Sequence, residues 1–331
     1  MAEELPLVTI VIPTKDDEGT IDACLACVLA QDYPRDRVEI VVADAMSMDA
    51  TREKILRVAE AEPRVRLVDN PERTRAAALN VALRGSRGEI VVPMDPDGDY
   101  AKTHVSKCVD ALAASSAEQL TIVPRSLGRT LRERALSAAS AVELARGEDP
   151  GTALLGAVRR RVFGRVGLFD PRTKCEEDAE LATRVQKAGG ATAVRRDIVV
   201  RRPSATSFED LFRRHYVLGA SRARRAVKER RVDSLRELVP VAIVLGGGAL
   251  AATSTVQPLT PIAGAAYALV TGAAAVRVGR REGLVTIPFA WAAFPVMHVA
   301  RGIGFGVGVV RSLASPDWEE APTFDEAHAE P

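Results

Sequence analysis

Short β-branched runs separated by amphipathic stretches set the pattern of the first 120 residues. Apolar runs at residues 7–13, 38–44, 65–68, 89–94 and 119–123 predict strands. Between them, residues 20–31, 49–61, 73–84 and 102–114 predict helices, with Ile21, Leu25, Val28 and Leu29 on one face. Strands alternating with helices predict an α/β fold with a mostly parallel central sheet. Ligands of such sheets sit at the carboxyl ends of the strands, so chemistry is sought just after each run.

The pattern changes towards the C-terminus. Residues 201–231 hold ten Lys or Arg against three acids, and residues 238–276 then contain no Asp, Glu, Lys or Arg. That 39-residue window exceeds the roughly 20 residues that span a bilayer. The proline-bearing segment 254–261 divides it into two apolar arms, because proline removes a backbone donor and disfavours helix before itself. The expectation is a helical hairpin, with a buried pair of soluble helices as the alternative. A third apolar stretch, 284–310, is interrupted by His298 and Arg301; it either spans, re-enters or lies at the interface. The basic cluster before the first arm, and Arg277, Arg280 and Arg281 after the second, both favour the cytoplasmic leaflet.

Composition narrows this picture. In 331 residues, 47% apolar and 27% charged side chains exclude a wholly disordered chain and allow about two domains. A net charge of +1 excludes a uniformly polyanion-binding protein, and no nucleic-acid partner is expected. Cys24, Cys27, Cys108 and Cys175 are too few and scattered for a disulfide framework, which fits a reducing compartment. The acid-rich first 25 residues lack the pattern of a secretory signal. The expected organisation is a cytoplasmic domain over 1–231, membrane-associated helices over 232–312 and a disordered acidic tail over 313–331.

The strongest chemical feature is Val91-Val92-Pro93-Met94-Asp95-Pro96-Asp97-Gly98-Asp99, with acids at alternating positions past an apolar strand. Two such carboxylates can hold a hard divalent ion that also bridges substrate phosphates. An acidic turn is the plainer reading. Asp44 and Asp49 also follow a strand; Asp49 reads as a helix cap and Asp44 as a ligand group for a base or sugar. Glu177-Asp178 reads, on its own, as a helix start favoured by the dipole. Cys24 and Cys27 lie in an apolar helical repeat and read as core, and His104 has no evident partner.

Taken in order, IVIPTKDDEGTI, VVADAMSMDAT, RAAALNVALRGSRGEIVVPMDPD and RRRVFGRVGLFDPRTKCEEDAELATRVQKAGG resemble family 2 glycosyltransferases of the GT-A fold, over residues 7 to about 225. The ADAMSMDAT form and the apolar tail are most similar to the branch that builds succinoglycan-type exopolysaccharides on lipid carriers. The resemblance implies a GT-A nucleotide-sugar-binding fold followed by C-terminal membrane helices. It implies Asp97 as a ligand of Mg or Mn, with Asp95 contacting ribose or sugar and sharing the metal. Thr14, Glu18 and Asp44 would line the nucleotide pocket, and Arg75 and Asn80 would lie in the segment that closes it. In Glu177-Asp178 the aspartate would be the base that deprotonates the acceptor hydroxyl. Arg214 and Arg222 stand where relatives carry a Gln-x-x-Arg-Trp element; the Trp is missing, which argues against processive synthesis. These arginines would steady a diphosphate or a lipid phosphate, or simply attract the membrane surface.

The expected activity is an inverting transfer of a sugar from a nucleotide-diphosphate donor, UDP-linked foremost, to a lipid-linked saccharide at the cytoplasmic face of a bacterial plasma membrane. The alternatives are a polyprenyl-phosphate sugar synthase and a non-catalytic membrane-bound nucleotide-sugar sensor.

Overall fold

The structure is a computed structural model that describes residues 4–144, 154–173, 175–232, 235–252, 259–316 and 322–324. The elements are, in order, β1 (Val8–Thr14), α1 (Ile21–Leu29), β2 (Val38–Asp44), α2 (Thr51–Ala61), β3 (Val65–Asp69), α3 (Arg75–Arg84), β4 (Ile90–Pro93), β5 (Asp99–Tyr100), α4 (His104–Ala113), β6 (Gln119–Ile122) and β7 (Arg125–Leu127). They continue with α5 (Leu131–Leu144), β8 (Leu154–Arg159), α6 (Arg161–Val166), α7 (Glu177–Lys187), β9 (Thr192–Arg195), β10 (Val200–Pro203), α8 (Phe208–Glu229), α9 (Val239–Ala252), α10 (Leu259–Glu282) and α11 (Ile287–Ala314). The chain divides into two compact units. The first comprises Met1–Arg125, Pro150–Arg202 and Glu320–Pro331, the second Ser126–Asp149 and Pro203–Glu319.

The first unit is built on a seven-stranded sheet ordered β3-β2-β1-β4-β8-β6-β9. The β3–β2, β2–β1, β1–β4 and β6–β9 pairs are parallel, and only β4–β8 and β6–β8 are antiparallel, so the mostly parallel α/β fold holds. Both faces are covered. Val8, Ile10 and Ile12 of β1 pack with Leu25, Ile55, Val105 and Leu112 on one side, while Val11 packs with Ala76, Leu79, Leu83 and Phe163 on the other. Successive strand side chains point to opposite faces, and burial of both explains why β1 reads as a nearly unbroken apolar run. The chain order reverses between β1 and β4, opening a crevice at their carboxyl ends.

A short antiparallel pairing sets Val200 of β10 opposite Tyr100 and Arg201 opposite Asp99 of β5. The expectation of a disordered tail does not hold for residues 322–324. Leu168 N–H donates to the Pro322 carbonyl at 2.7 Å, and the buried Phe324 ring lies 6.3 Å from that of Phe163, with the Arg160 guanidinium 5.0 Å above it.

The second unit is helical. Ala135, Leu136 and Ala139 of α5, Leu211 of α8, Ala274, Ala275 and Val278 of α10, and Ala290, Ala293, Phe294 and Met297 of α11 form its core. Among the described residues, two helices are long and apolar enough to cross a membrane, Thr260–Glu282 and Leu284–Ala314. The expected hairpin over 238–276 therefore shifts along the chain. Its first arm forms α9, of 14 residues, short of the roughly 20 a span requires, whereas the third stretch forms the longest helix. The divider 254–261 lies outside the described residues as far as 258.

Candidate active site

Four loops at the carboxyl edge of the first unit's sheet enclose a cavity of about 240 Å³. It is lined by Pro13 and Thr14 at the end of β1 and Lys15 and Asp17 after it, Ala45 after β2, Asn70, Arg73, Thr74, Arg75 and Ala78 around the start of α3, Asp95, Pro96 and Asp97 after β4, and Arg202 of β10. The backbone is strained where these loops turn. Asp16, Met46 and Arg73 follow β1, β2 and β3 with φ of 52°, 59° and 57°, and Glu176, just before α7, has 65°. Residues with side chains seldom adopt this left-handed region, and such strain gathers where surrounding structure fixes a functional geometry.

Arginine 75 is the hub of the site. Its Nε donates to Asp95 Oδ1 at 3.0 Å, while Nη1 donates to Glu177 Oε1 at 2.6 Å and Asp178 Oδ1 at 3.1 Å. Three segments distant in sequence thus meet on one guanidinium. Asp178 also accepts a bond from Leu155 N–H at 2.9 Å, and Asp95 N–H donates to Tyr100 Oη at 2.7 Å. A second guanidinium, that of Arg202, contacts Asp95 Oδ2 at 3.0 Å and Asp97 Oδ1 at 2.8 Å. Burial pushes the Asp95 carboxyl up, but the charges of Arg75 and Arg202 outweigh it and hold it below the usual carboxylate range. Glu177 stands above its ordinary value because burial, with Asp178 adding to it, outweighs the pull of Arg75.

The family model for glycosyl transferase family 2 matches residues 9–163, which carry all four cavity-forming loops. This region is a family 2 glycosyltransferase domain. The chain is 29% identical over 310 residues to the succinoglycan biosynthesis protein ExoA of Rhizobium meliloti, covering 89% of this chain and 93% of that one. Over 92 residues it is 36% identical to the Escherichia coli UDP-Glc:alpha-D-GlcNAc-diphosphoundecaprenol beta-1,3-glucosyltransferase WfgD, covering 28% and 35% of the two chains. Among solved structures, a mannosyltransferase from Pyrobaculum calidifontis in complex with GDP-Man and Mn2+ is similar with a TM-score of 0.60 and 26% identity, over 93% of this chain and 88% of that one.

Within the glycosyltransferase domain, Thr14, Arg75, Asp95 and Asp97 line the cavity, and Glu177 and Asp178 join them through Arg75. Glu18, Asp44 and Asn80 are not among the lining residues. Asp44 is fully buried, accepting bonds from Ser47 N–H at 3.0 Å, from the Ser47 hydroxyl and from Arg52 at 2.7 Å. Glu18 accepts from Ala50 N–H at 3.1 Å and donates its own N–H to Asp49 Oδ2 at 3.1 Å, tying the loop after β1 to the loop after β2. Asn80 brackets the Phe169 backbone, donating to its carbonyl at 2.8 Å and accepting from its N–H at 2.9 Å. These three residues build the walls rather than the lining. Arg214 pairs with Asp210 on α8 at 3.1 Å and Arg222 is buried, both in the second unit.

Asp95 and Asp97 fit a divalent cation. One cationic group, the Arg202 guanidinium, already reaches a carboxylate oxygen of each, so the two acids converge on one position. No group of three or more metal-type side chains is gathered among the described residues. Two carboxylates, with the remaining ligands supplied by phosphate oxygens and water, is the arrangement Mg and similar ions accept at nucleotide sites. Arg202, Arg73 and Asn70 were not marked as site residues by the sequence. Arg202 sat inside a basic run that reads as membrane attraction, and Asn70 carries no charge to mark it, although its buried Oδ1 has no partner among the described residues.

Proposed function

We propose that this chain is a membrane-anchored, metal-dependent, inverting glycosyltransferase that moves a sugar from a nucleoside diphosphate donor to a lipid-linked saccharide in cell-envelope polysaccharide synthesis. The observation that carries the reading is the meeting of Asp95, Glu177 and Asp178 on Arg75 beside the cavity. Four cationic lining residues, Lys15, Arg73, Arg75 and Arg202, against three acids, Asp17, Asp95 and Asp97, suit an anionic diphosphate. The orphan acceptor of Asn70 suits an N–H or O–H of the nucleoside.

Asp97 and Asp95 would hold Mg or Mn, which when bound offsets the charge that grows on the diphosphate leaving group. Thr14 and Thr74 border the donor, and Asp178 takes the proton of the acceptor hydroxyl as it attacks the anomeric carbon. Single displacement inverts that centre. The donor is UDP-linked in our reading, as in the name of the Escherichia coli relative; the GDP-Man of the mannosyltransferase makes GDP-sugars the first alternative. The candidate spans Thr260–Glu282 and Leu284–Ala314 would cross the bacterial plasma membrane twice, with the glycosyltransferase domain and the basic run 201–231 on the cytoplasmic side.

The test is sugar transfer by purified protein in detergent, with UDP- and GDP-sugars, Mg or Mn and a polyprenyl-linked acceptor extract. Transfer into the lipid fraction, abolished in Asp97→Ala and reduced at least 100-fold in Asp178→Asn with donor binding kept, is the expected result. Near-normal turnover in Asp178→Asn would instead favour a polyprenyl-phosphate sugar synthase, whose phosphate nucleophile needs no base. Donor binding without transfer would favour the sensor.

A further inference from the structure

The two acids assigned above to the divalent ion are already bridged by a side chain of the protein itself. Arg202 reaches Asp95 and Asp97 with its two terminal nitrogens at 3.0 and 2.8 Å, one carboxylate to each nitrogen. Its place is fixed by the backbone. β10 pairs with β5, the strand that begins two residues after Asp97, with Arg201 opposite Asp99. The Asp95 carboxylate is held from the other side by Arg75 Nε, and its backbone N–H donates to the Tyr100 hydroxyl, so the residue is fixed at both ends. Asp97, at 38% side-chain exposure, is the freer of the two.

A guanidinium and a divalent cation cannot share this seat. Both are held by the same oxygens, and like charges a few ångströms apart repel strongly where water is scarce. To admit the metal, Arg202 must leave, and a cation leaving two carboxylates needs a new anion. A nucleoside diphosphate supplies one beside it, since Arg202 itself lines the cavity and guanidinium geometry suits phosphate oxygens.

On the proposed metal-dependent reading, we propose that Arg202 is a tethered competitor of the divalent ion: it occupies the Asp95–Asp97 seat and yields it when a nucleoside diphosphate takes up its guanidinium. Metal and nucleotide then bind in linked fashion, each tightening the other by the same factor. Free metal alone is bound weakly, and Arg202 moves from a metal-site counter-ion to a diphosphate contact.

The experiment is Mn2+ titration of the full-length protein in detergent, followed by electron paramagnetic resonance of free Mn2+, with and without UDP or GDP. In the wild type, nucleotide should tighten Mn2+ binding at least tenfold. In Arg202→Gln, Mn2+ alone should bind about tenfold or more tightly than to the wild type, and the linkage with nucleotide should shrink to a few-fold. Arg202→Lys keeps the charge but offers one ammonium that cannot bridge both acids, and should fall between them; it also serves if the Gln variant melts early. Mn2+ affinity of Arg202→Gln and Arg202→Lys within twofold of wild type, with nucleotide-dependent Mn2+ binding intact in all three, would overturn the competitor role alone. Failure of Mn2+ to bind any variant with either nucleotide would remove the metal reading itself, and the competitor with it.

Discussion

Buried polar side chains cross-link helices in the second unit and crowd against a cavity in the first. In the second, Tyr267 and His298 Nδ1 lie 2.7 Å apart, His298 Nε2 meets Glu143 at 3.2 Å, Arg301 Nε donates to His215 Nδ1 at 2.9 Å, and His215 Nε2 lies 3.3 Å from Ser140. Both nitrogens of each imidazole are engaged, and the groups come from α5, α8, α10 and α11. In the first, Arg75 and Arg202 serve four acids, Asp95, Asp97, Glu177 and Asp178. The network of the second unit joins neighbouring helices, whereas that of the first places charged groups of both signs beside a space a ligand can enter. Buried charges gathered beside an open cavity in this way are a mark of a binding site, because folding alone gains little from them.

The sharpest way to break this comparison is to remove Arg75. Arg75→Met leaves three largely buried carboxylates without their shared cation, and removing one partner of such a cluster costs on the order of 3–5 kcal/mol. Melting followed by circular dichroism in detergent should drop by on the order of 10 °C. A midpoint within a degree of wild type would show that the acids do not depend on this arginine.

His104 tests the same contrast through pH. It is buried on α4, edge-on to Tyr100 at 4.9 Å, and its Nδ1 has no partner among the described residues, unlike the rings of His215 and His298. Burial pulls its pKa down to about 4. A depressed value means that the unfolded chain binds the proton first. Stability is therefore full above about pH 6.5 and is lost as pH falls towards 4, by at most roughly 3 kcal/mol. His104→Phe should flatten denaturation midpoints across that window, and an unchanged slope would place the acid sensitivity elsewhere.

A smaller effect is expected at the seam between α8 and α11. A Cβ on Gly304 would press on the Tyr216 carbonyl, and one on Gly308 would lie 2.7 Å from both the Ala220 carbonyl and Ala223 Cβ. Gly304→Ala should cost about 1–3 kcal/mol through overpacking, read as faster hydrogen exchange in α8 and α11. Exchange that accelerates equally in β1 and β2 would show that the two units do not lose structure separately.

How much of this was legible from sequence follows from what surrounds each residue. Strand β2 falls at residues 38–44 as expected, and β1, β3, β4 and β6 lie within one residue at each end; for β1, β2 and β4 burial on both faces writes a nearly continuous apolar run. The two-residue β5 and four-residue β10 are too short to write any period, so the pairing that delivers Arg202 was hidden. The apolar tail was read by its lack of charge. Helix α10 runs on through Arg277, Arg280 and Arg281 to Glu282, since long basic side chains at a helix end can reach away from an apolar surface, so the charge boundary was not the helix boundary. At the site, the alternating acids after β4 drew attention to Asp95 and Asp97, which both line the cavity. Asp44 has the same residue type at the same kind of strand end, yet Ser47 and Arg52 satisfy it internally, and nothing in its local sequence distinguishes the two cases.

A matched pair of helix caps gives the finest test. Thr74 caps α3, its hydroxyl accepting from Ala77 N–H at 3.2 Å, and Ser207 caps α8, accepting from Asp210 N–H at 3.0 Å. Loss of either oxygen strands a backbone donor in the first turn and costs about 1 kcal/mol. Thr74 differs in one respect: it also lines the cavity. Thr74→Ala and Ser207→Ala should therefore melt at similar temperatures, while only Thr74→Ala weakens nucleoside diphosphate binding, by a few-fold in a calorimetric titration. If both variants bind nucleotide as the wild type does, the wall formed by the start of α3 makes no contact with the donor. If both weaken alike, binding reports general loosening, and the separation drawn between a unit that binds and a unit that braces does not hold.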